Sequence, residues 1–193
     1  CIPNLNPAYC TSRARKLRQD LGLLAMRNLW IVGCCLLSGC LTVPDGIEPV
    51  DNFELNRYLG KWYEIARLDH SFERGLEAVS AEYSLRDDGG IRVINSGRNT
   101  DTQANQEAEG RAYFVEQPNL GYLKVSFFGP FFGSYVIFEL DENYQYAFIA
   151  GNTTNYLWLL ARTPEVSQEL VNQFISRATQ LGFDTTQLIF VDH

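Results

Sequence analysis

The chain has 193 residues, a formal net charge of −7 and 46% hydrophobic residues. This length allows one domain whose core folds without disulfides, together with a short appendage. All five cysteines lie at or before position 40, so the later residues hold no disulfide, thiol nucleophile or thiolate metal site. Residues 1–39 are basic and the remainder is acidic. This distribution excludes a nucleic-acid surface after residue 40, because such a surface needs clustered Lys and Arg.

The N-terminal region has the organisation of a secretion signal. A short basic start at 26–28 precedes an apolar run at 29–37 that is too short to span a bilayer stably, and small residues come before Cys40. We therefore predict a signal peptide over 26–39, with a buried core segment as the alternative. Residues 1–25 then have no evident role, and we expect them to be a non-native upstream extension.

Residues 37–40 also resemble the bacterial lipobox, in which the cysteine is acylated and the peptide is cut just before it. The resemblance implies lipidation of Cys40 and an acylated N-terminus and tether over 40–48, which leaves the folded domain over 49–193. Because Leu41 and not Asp follows the cysteine, the same resemblance implies a lipid-anchored protein of the outer membrane that faces the periplasm.

The first convincing strand begins with a glycine at position 60. Alternation places Trp62, Glu64 and Ala66 on one face, and apolar residues occur on both faces. This pattern predicts that the strand belongs to a sheet whose inner face covers a packed core and whose outer face packs against a helix. The segment 49–59 before the strand is expected to cross the closed end of the core.

Seven further strands are predicted from alternating residues and turn signals. Their inward positions are mainly apolar or aromatic, and are Val79, Ala81, Tyr83 and Leu85; Ile91, Val93 and Asn95; Ala108, Gly110 and Ala112; Leu123, Val125 and Phe127; Tyr135, Ile137 and Glu139; Ala147, Ile149 and Gly151; Tyr156, Trp158, Leu160 and Arg162. The three small side chains of the fourth strand leave volume, which favours a binding cavity over a packed interior.

Two connections are predicted at the end of the domain opposite to residues 49–59. The polar run 69–77 is too long for a tight hairpin, so we expect a large loop over the mouth. The turn 128–132 concentrates aromatic rings, and contiguous exposed apolar surface usually marks an interaction site. We expect these rings to form an apolar lip across which a lipid chain can slide from a bilayer. The alternative is that they fold back over the core.

A helix and a last strand complete the predicted domain. Thr163-Pro164-Glu165 predicts the helix start, because it combines a capping hydroxyl, a proline at the first helical position and an acid. An apolar i, i+4 stripe over 166–181 predicts packing against the barrel, and Gly182 predicts the helix end. Residues 187–191 are predicted to pair with the free edge of the first strand.

Three motifs, in this order along the chain, resemble those of the lipocalin family. Gly60 and Trp62 open the first strand, Asp141 lies in an acidic turn before Tyr146, and Arg162 closes the eighth strand. The runs 74–77, 83–90 and 127–131 narrow the resemblance to the bacterial outer-membrane lipocalins. The resemblance implies an all-β fold, an eight-stranded up-and-down antiparallel barrel with one C-terminal helix packed outside and a short ninth strand.

A closed barrel of eight strands can hold one small ligand, and its mainly apolar inward set predicts an apolar ligand with one polar end. The resemblance implies a fatty acid or lysophospholipid, bound for storage or transport at the cell envelope, with no cofactor and no metal. The predicted ligand-binding residues are Glu64, Tyr83, Val93, Ala108, Gly110, Ala112, Val125, Phe127, Tyr135, Ile137, Ile149, Tyr156 and Trp158.

Two other classes of function are weighed against binding. A few barrels of this family are enzymes, and Glu64 with His70 or Asp69 would then be the acid–base candidates. A purely structural envelope lipoprotein would need no cavity, and the small residues of the fourth strand argue against it. The association of two barrels as a homodimer stays open.

Overall fold

The computed structural model describes residues 41–193, so the predicted upstream extension, signal peptide and Cys40 lie outside the described residues. Nine strands follow one another, β1 (Gly60–Leu68), β2 (Leu76–Leu85), β3 (Ile91–Asn99), β4 (Asn105–Phe114), β5 (Tyr122–Ser126), β6 (Gly133–Leu140), β7 (Tyr146–Ala150), β8 (Leu157–Ala161) and β9 (Leu188–Phe190). The described helices are α1 (Leu55–Tyr58) and α2 (Gln168–Gln180), with a 3-10 turn at Thr185–Gln187. No helix in this part of the chain is long and apolar enough to cross a membrane.

The first eight strands close into a barrel. Each pairs antiparallel with the next, and β1 pairs with both β2 and β8. The ninth strand joins β1 over 66–68, beyond the point where β2 leaves it. This arrangement confirms the predicted eight-stranded barrel with a helix and a short ninth strand outside.

Two apolar clusters lie on opposite sides of the barrel wall. The inner cluster fills the closed end, where Trp62, Ile137 and Ile149 are fully buried. The outer cluster lies between the wall and α2, where the rings of Phe148 and Phe174 meet edge-on with centroids 5.0 Å apart. The outer cluster explains why apolar residues occur on both faces of β1, since one face meets the core and the other meets the helix.

The helix α2 begins later than the sequence predicts. Ser167 is its N-cap, and the Ser167 hydroxyl accepts a hydrogen bond from the backbone amide three residues on. The Thr163 hydroxyl instead donates to the carbonyl of Glu165, ahead of the helix, so the predicted start at 163–165 is wrong. The predicted end is correct, because Gly182 adopts the positive φ of +84° that favours glycine after a helix.

A β-bulge in β1 reverses the face of the sheet to which the side chains after Ile65 point. The register with β8 shifts between Glu64 and Ala66, so Ile65 and Ala66 both belong to the outer cluster. Arg67 then turns to the inner side, where it is 2% exposed. Strict alternation predicts Ala66 inside and Arg67 outside, and both predictions are wrong because a bulge places two successive residues on one face.

A second bulge, in β6, has the same effect. The register with β7 shifts between Ile137 and Glu139, and Phe138 packs in the outer cluster. Glu139 accepts a hydrogen bond from Gln173 of α2, so its predicted inward position is wrong. Leu85, also predicted inward, is 58% exposed at the end of β2, beyond the filled part of the core.

Candidate functional site

The barrel encloses a cavity of about 720 Å³, within the range of roughly 300–1,000 Å³ that holds small molecules. Its mouth lies between the β1–β2, β5–β6 and β7–β8 connections. The strands β3, β4 and β5 line it with apolar residues that include Val93, Ala112 and Val125, and also with the polar Asn95, Gln106 and Glu107. Most of the polar side chains lie on the rest of the lining, so the polar groups are concentrated toward one side of the cavity.

Most of the predicted ligand-binding residues line this cavity, namely Glu64, Tyr83, Val93, Ala108, Ala112, Val125, Phe127, Tyr135, Tyr156 and Trp158. Ile137 and Ile149 do not line it, because they face each other across paired strands in the fully buried inner cluster. Gly110 does not line it either, since ring atoms of Phe127 would lie 2.8 Å from a Cβ at Gly110. Phe127 thus fills one of the spaces that small residues were expected to leave open.

Three tyrosine hydroxyls meet near the floor of the cavity. The Tyr135 hydroxyl lies 2.7 Å from that of Tyr58 on α1 and 2.9 Å from that of Tyr83 on β2. Burial raises the pKa of all three phenols, so each keeps its proton at neutral pH. Three hydroxyl protons serve two bonds within this triad, which leaves one donor for another acceptor.

A charged cluster is buried beneath the β1–β2 loop. Nη1 of Arg67 donates to Oε1 of Glu64 at 2.6 Å, and Nη2 donates to the backbone carbonyl of Glu73 at 2.9 Å. All three residues are less than 10% exposed. The guanidinium therefore bonds the carboxyl of Glu64, and it ties the loop to β1.

The Glu73 carboxylate reaches from the loop into the barrel. It accepts hydrogen bonds from Asn95 Nδ2 on β3 and Trp158 Nε1 on β8, each at 3.3 Å. His70 Nε2 lies 3.1 Å from Oε2 of Glu73. Burial opposes ionisation of this carboxyl, but the contacts with His70 and the other donors outweigh it and lower its pKa. Glu73 is thus an anion fixed by partners from three parts of the chain.

The neighbouring Glu64 behaves in the opposite way. Burial and the charge of Glu73 raise the pKa of Glu64 well above its usual range, although Arg67 acts to lower it. Two carboxyls held this close in a poorly solvated site favour one negative charge between them. The geometry places that charge on Glu73, which has the larger set of donors.

The sequence reasoning missed Arg67 and Glu73 as residues of the site. Arg67 was missed because of the bulge in β1, and Glu73 because it lies in a polar run typical of a solvated loop. The usable signal was Glu64. A carboxyl predicted inside a barrel needs a cationic partner, and Arg67 is the only arginine in β1.

The acid–base candidates Glu64 and His70 lie in the same cavity but turn to different partners. Glu64 bonds Arg67, whereas His70 faces Glu73 and packs on Trp158 with ring centroids 5.1 Å apart. The described residues include no group of three or more His, Cys, Asp or Glu side chains arranged to hold a metal ion.

Exposed rings stand around the mouth. Phe128 and Phe131 of the β5–β6 turn are 69% and 70% exposed, and Phe72 of the β1–β2 loop is 65% exposed. Phe132 instead folds onto the outer face of the barrel, where it packs edge-on against Tyr113. The turn therefore contributes two free rings to the mouth, and the sequence reasoning missed the third, Phe72.

The motif residues Gly60, Trp62, Asp141 and Arg162, on which the family resemblance rests, lie at the closed end of the barrel, away from the mouth. The Arg162 guanidinium carbon lies 4.0 Å from the centroid of the Trp62 ring, and Arg162 donates to carbonyls within 57–61. Gly60 has a positive φ of +91°, next to this guanidinium. Asp141 caps the β6–β7 turn by accepting two backbone amides.

Comparisons with known proteins agree with this geometry. A family model described as "Lipocalin-like domain" matches residues 53–193. The chain is 58% identical over 168 residues to Outer membrane lipoprotein Blc of Vibrio cholerae, covering 86% of this chain and 98% of that protein. It is 53% identical over 150 residues to the protein of the same name from Escherichia coli K12, covering 78% and 85%. Insecticyanin from the tobacco hornworm Manduca sexta matches the fold with a TM-score of 0.62 at 20% identity, over 79% of this chain and 87% of that one.

Proposed function

This chain belongs to the lipocalin family, and from that premise we propose that it binds a fatty acid or lysophospholipid in the barrel cavity, for storage or transport at the cell envelope. The observation that carries the proposal is the two-sided cavity. An acyl chain can lie along the apolar residues Val93, Ala112 and Val125 of β3, β4 and β5, while a polar end meets the side that carries Glu64, His70 and Glu73.

The proposal includes an anchor at Cys40. The relatives named Outer membrane lipoprotein Blc support a lipid-anchored protein of the outer membrane, with the barrel in the periplasm. Acyl chains stabilise partition into a membrane by about 0.8 kcal/mol per buried methylene, so a multiply acylated cysteine suffices as the anchor. Cys40→Ser should leave the outer-membrane fraction or stay unprocessed. Recovery of a mature Cys40→Ser protein in that fraction would refute the anchor.

We favour binding over catalysis because the two acid–base candidates are not directed at one point. Glu64 bonds Arg67, whereas His70 faces Glu73. General acid–base catalysis needs groups positioned on the proton that is transferred. The carboxyls of Glu64 and Glu73 instead offer the ligand a fixed polar surface.

A titration of the full chain tests the proposal. The Cys40→Ser version is stripped of lipid and titrated with a lysophospholipid, so that no anchoring lipid contributes to the signal. Saturable binding is expected, and Trp158→Ala should weaken it by roughly tenfold or more, because buried aromatic contacts carry much of a binding free energy.

The matched control is Phe190→Ala, which removes a ring that is 51% exposed on the outer strand β9. It should leave the affinity unchanged. Absence of saturable binding, or equal weakening by both substitutions, would refute a ligand site inside the barrel.

A further inference from the structure

The outer face of the barrel beside the β5–β6 turn carries two cations that do not line the cavity. Arg111 of β4 and Lys124 of β5 both approach the Phe132 ring, with the guanidinium carbon 5.7 Å and the ammonium nitrogen 5.2 Å from its centroid. Arg111 also reaches the turn itself, since its Nη2 lies 3.0 Å from the place of a Cβ at Gly129. Both cations therefore border the turn that carries two of the free rings of the mouth.

These two cations lack the acidic partners that most cations of the described chain have. Among residues 41–193, the cations that form no ion pair are Lys61, Arg111, Lys124 and Arg162. Arg162 serves backbone carbonyls at the closed end. The neighbouring acid on the outer face of β4, Glu109, is held by Arg92 at 2.7 Å. In a chain of net charge −7, the β5–β6 turn is thus bordered by positive charge that other residues of the described part leave unpaired.

The chain that precedes the barrel leads to the same end of the molecule. The Thr42 hydroxyl donates to the carbonyl of Asn152 at 2.8 Å, in the β7–β8 connection at the mouth. From there the chain follows the outer wall, where Ile47 packs in the outer cluster, and the Phe53 amide bonds the β4–β5 turn at the closed end. Two residues span at most about 7 Å, so an anchor at Cys40 starts within that distance of Thr42 at the mouth.

Resting on the proposed anchoring at the envelope, we infer that the barrel docks mouth-first on a lipid bilayer whose surface carries anionic phosphate headgroups. The docking surface consists of the rings of Phe72, Phe128 and Phe131 and the cations Arg111 and Lys124. The rings enter the interface between headgroups and acyl chains, where exposed apolar side chains are stabilised. The cations meet headgroup phosphates, and each basic residue near an anionic surface strengthens partition by about fivefold.

The test places a tryptophan reporter on the docking surface. Phe131→Trp puts it in the β5–β6 turn at a position that is 70% exposed, and Leu85→Trp puts it at the closed end at a position that is 58% exposed. Each protein is purified as cells process it and reconstituted into vesicles of phosphatidylcholine and phosphatidylglycerol with brominated acyl chains, which quench tryptophan on contact. An excess of lysophospholipid without bromine occupies the cavity, so that quenching reports the bilayer. The parent protein in the same vesicles supplies the background of the native tryptophans.

We expect the reporter of Phe131→Trp to be quenched at least about twofold more than that of Leu85→Trp. The difference should shrink when phosphatidylglycerol is left out or the salt concentration is raised, because both weaken attraction between the cations and the surface. Equal quenching at the two positions would overturn the inference. It would leave the proposed function standing, which the lysophospholipid titration measures separately.

Charge reversal assigns the role of the cations. Lys124→Glu and Lys61→Glu make the same change of charge at opposite ends of the barrel, each combined with the Phe131→Trp reporter. The ratio of docked to undocked protein, taken from the quenching, should fall at least about fivefold for Lys124→Glu and stay unaltered for Lys61→Glu. An unaltered ratio for Lys124→Glu, or an equal fall for both, would overturn the inference. If Lys124→Glu does not fold, the salt dependence of the Phe131→Trp protein decides.

A second copy of the chain is the other occupant that exposed rings could meet. Sedimentation velocity without vesicles separates the two cases. Self-association that Phe131→Ser abolishes, together with an unquenched reporter at position 131, would assign the surface to a second copy and overturn docking on a bilayer.

Discussion

At the scale of single residues, Arg162 makes a set of contacts that no lysine could reproduce. Its guanidinium covers the Trp62 ring at 4.0 Å and donates to carbonyls of Arg57, Leu59 and Lys61 at 2.7–3.0 Å. A planar fork of donors can stack on a ring and serve several carbonyls at once, whereas an ammonium is a point donor. The closed end of the barrel therefore depends on this pair.

Replacing Trp62 by Ala should destabilise the protein by about 3–5 kcal/mol, because it leaves a large cavity in a fully packed region. Trp62 is fully buried, and the change also removes the surface on which Arg162 lies. Denaturant unfolding measures the loss. Trp158→Ala is the matched control, since Trp158 lines an existing cavity and should cost less. An unchanged midpoint for Trp62→Ala would contradict the structural role of the pair.

Glu64 gives the stability a pH dependence of definite sign. Burial and the charge of Glu73 raise its pKa in the folded protein, so the folded state holds this proton more tightly than the unfolded chain. The contribution of this proton to the free energy of unfolding is complete below the pKa of Glu64 in the unfolded chain, about 4.3. It is lost as the pH rises through the pKa of Glu64 in the folded protein. Glu64→Gln cannot ionise and should lose less stability than the parent protein between pH 5 and pH 8.

Unfolding free energies of the two proteins at both pH values check this sign. The unfolding free energy of the variant minus that of the parent protein should be more positive at pH 8 than at pH 5. A difference that is equal at the two values, or that moves the other way, would show that the pKa of Glu64 is not raised by folding.

At the scale of elements, the two bulges mark where sequence reasoning fails. Alternation predicted eight strands and most inward positions, since the period of two follows from strand geometry. It failed after Glu64 and after Ile137, because a bulge adds one residue and reverses every later facing in the strand. In both strands the doubled residues, Ile65 with Ala66 and Phe138 with Glu139, turn toward the helix side.

Those errors matter for the site because the bulge in β1 is what brings Arg67 beside Glu64. A local sequence pattern cannot report this, since the two residues at the bulge pack in the outer cluster with residues of α2 that are distant in sequence. Loop residues were equally hidden, because the contacts of Glu73 with Asn95 and Trp158 join parts of the chain far apart in sequence. By contrast, Trp158 and Tyr135 were predictable, as they follow the strand period.

The β5–β6 turn leads to a prediction about uptake. Phe128 and Phe131 are largely exposed at the mouth, whereas Phe132 packs on the outer wall. Phe128→Ser combined with Phe131→Ser should slow transfer of a fluorescent lysophospholipid from vesicles and leave its equilibrium affinity within a few-fold. The physical reason is that each methylene kept from water along the path avoids about 0.8 kcal/mol.

The matched control for this turn is Phe132→Ser, which should lower stability but leave the transfer rate of the folded protein unchanged. Stopped-flow fluorescence gives the rates. Transfer at the parent rate by the double variant would exclude a role of the free rings in uptake.

At the scale of the whole molecule, the barrel combines a packed closed end with an open, two-sided cavity. The inner cluster around Trp62, Ile137 and Ile149 provides the stability, and the volume above it stays free. Closure of the sheet is what permits this division, because a closed barrel has no free edge among its eight strands and its interior needs filling only at one end.

The proposed function requires the ligand to bind inside this cavity, and blocking the cavity tests it most directly. Ala108 lines the cavity and remains accessible within it, so Ala108→Trp should fill the space without displacing the core. Glu109→Trp places the same ring on the outer face of β4, since adjacent residues of a strand face opposite ways. The dissociation constant of a lysophospholipid should rise at least about tenfold for Ala108→Trp and stay unchanged for Glu109→Trp. Parent-like affinity in a folded Ala108→Trp protein would contradict binding inside the barrel.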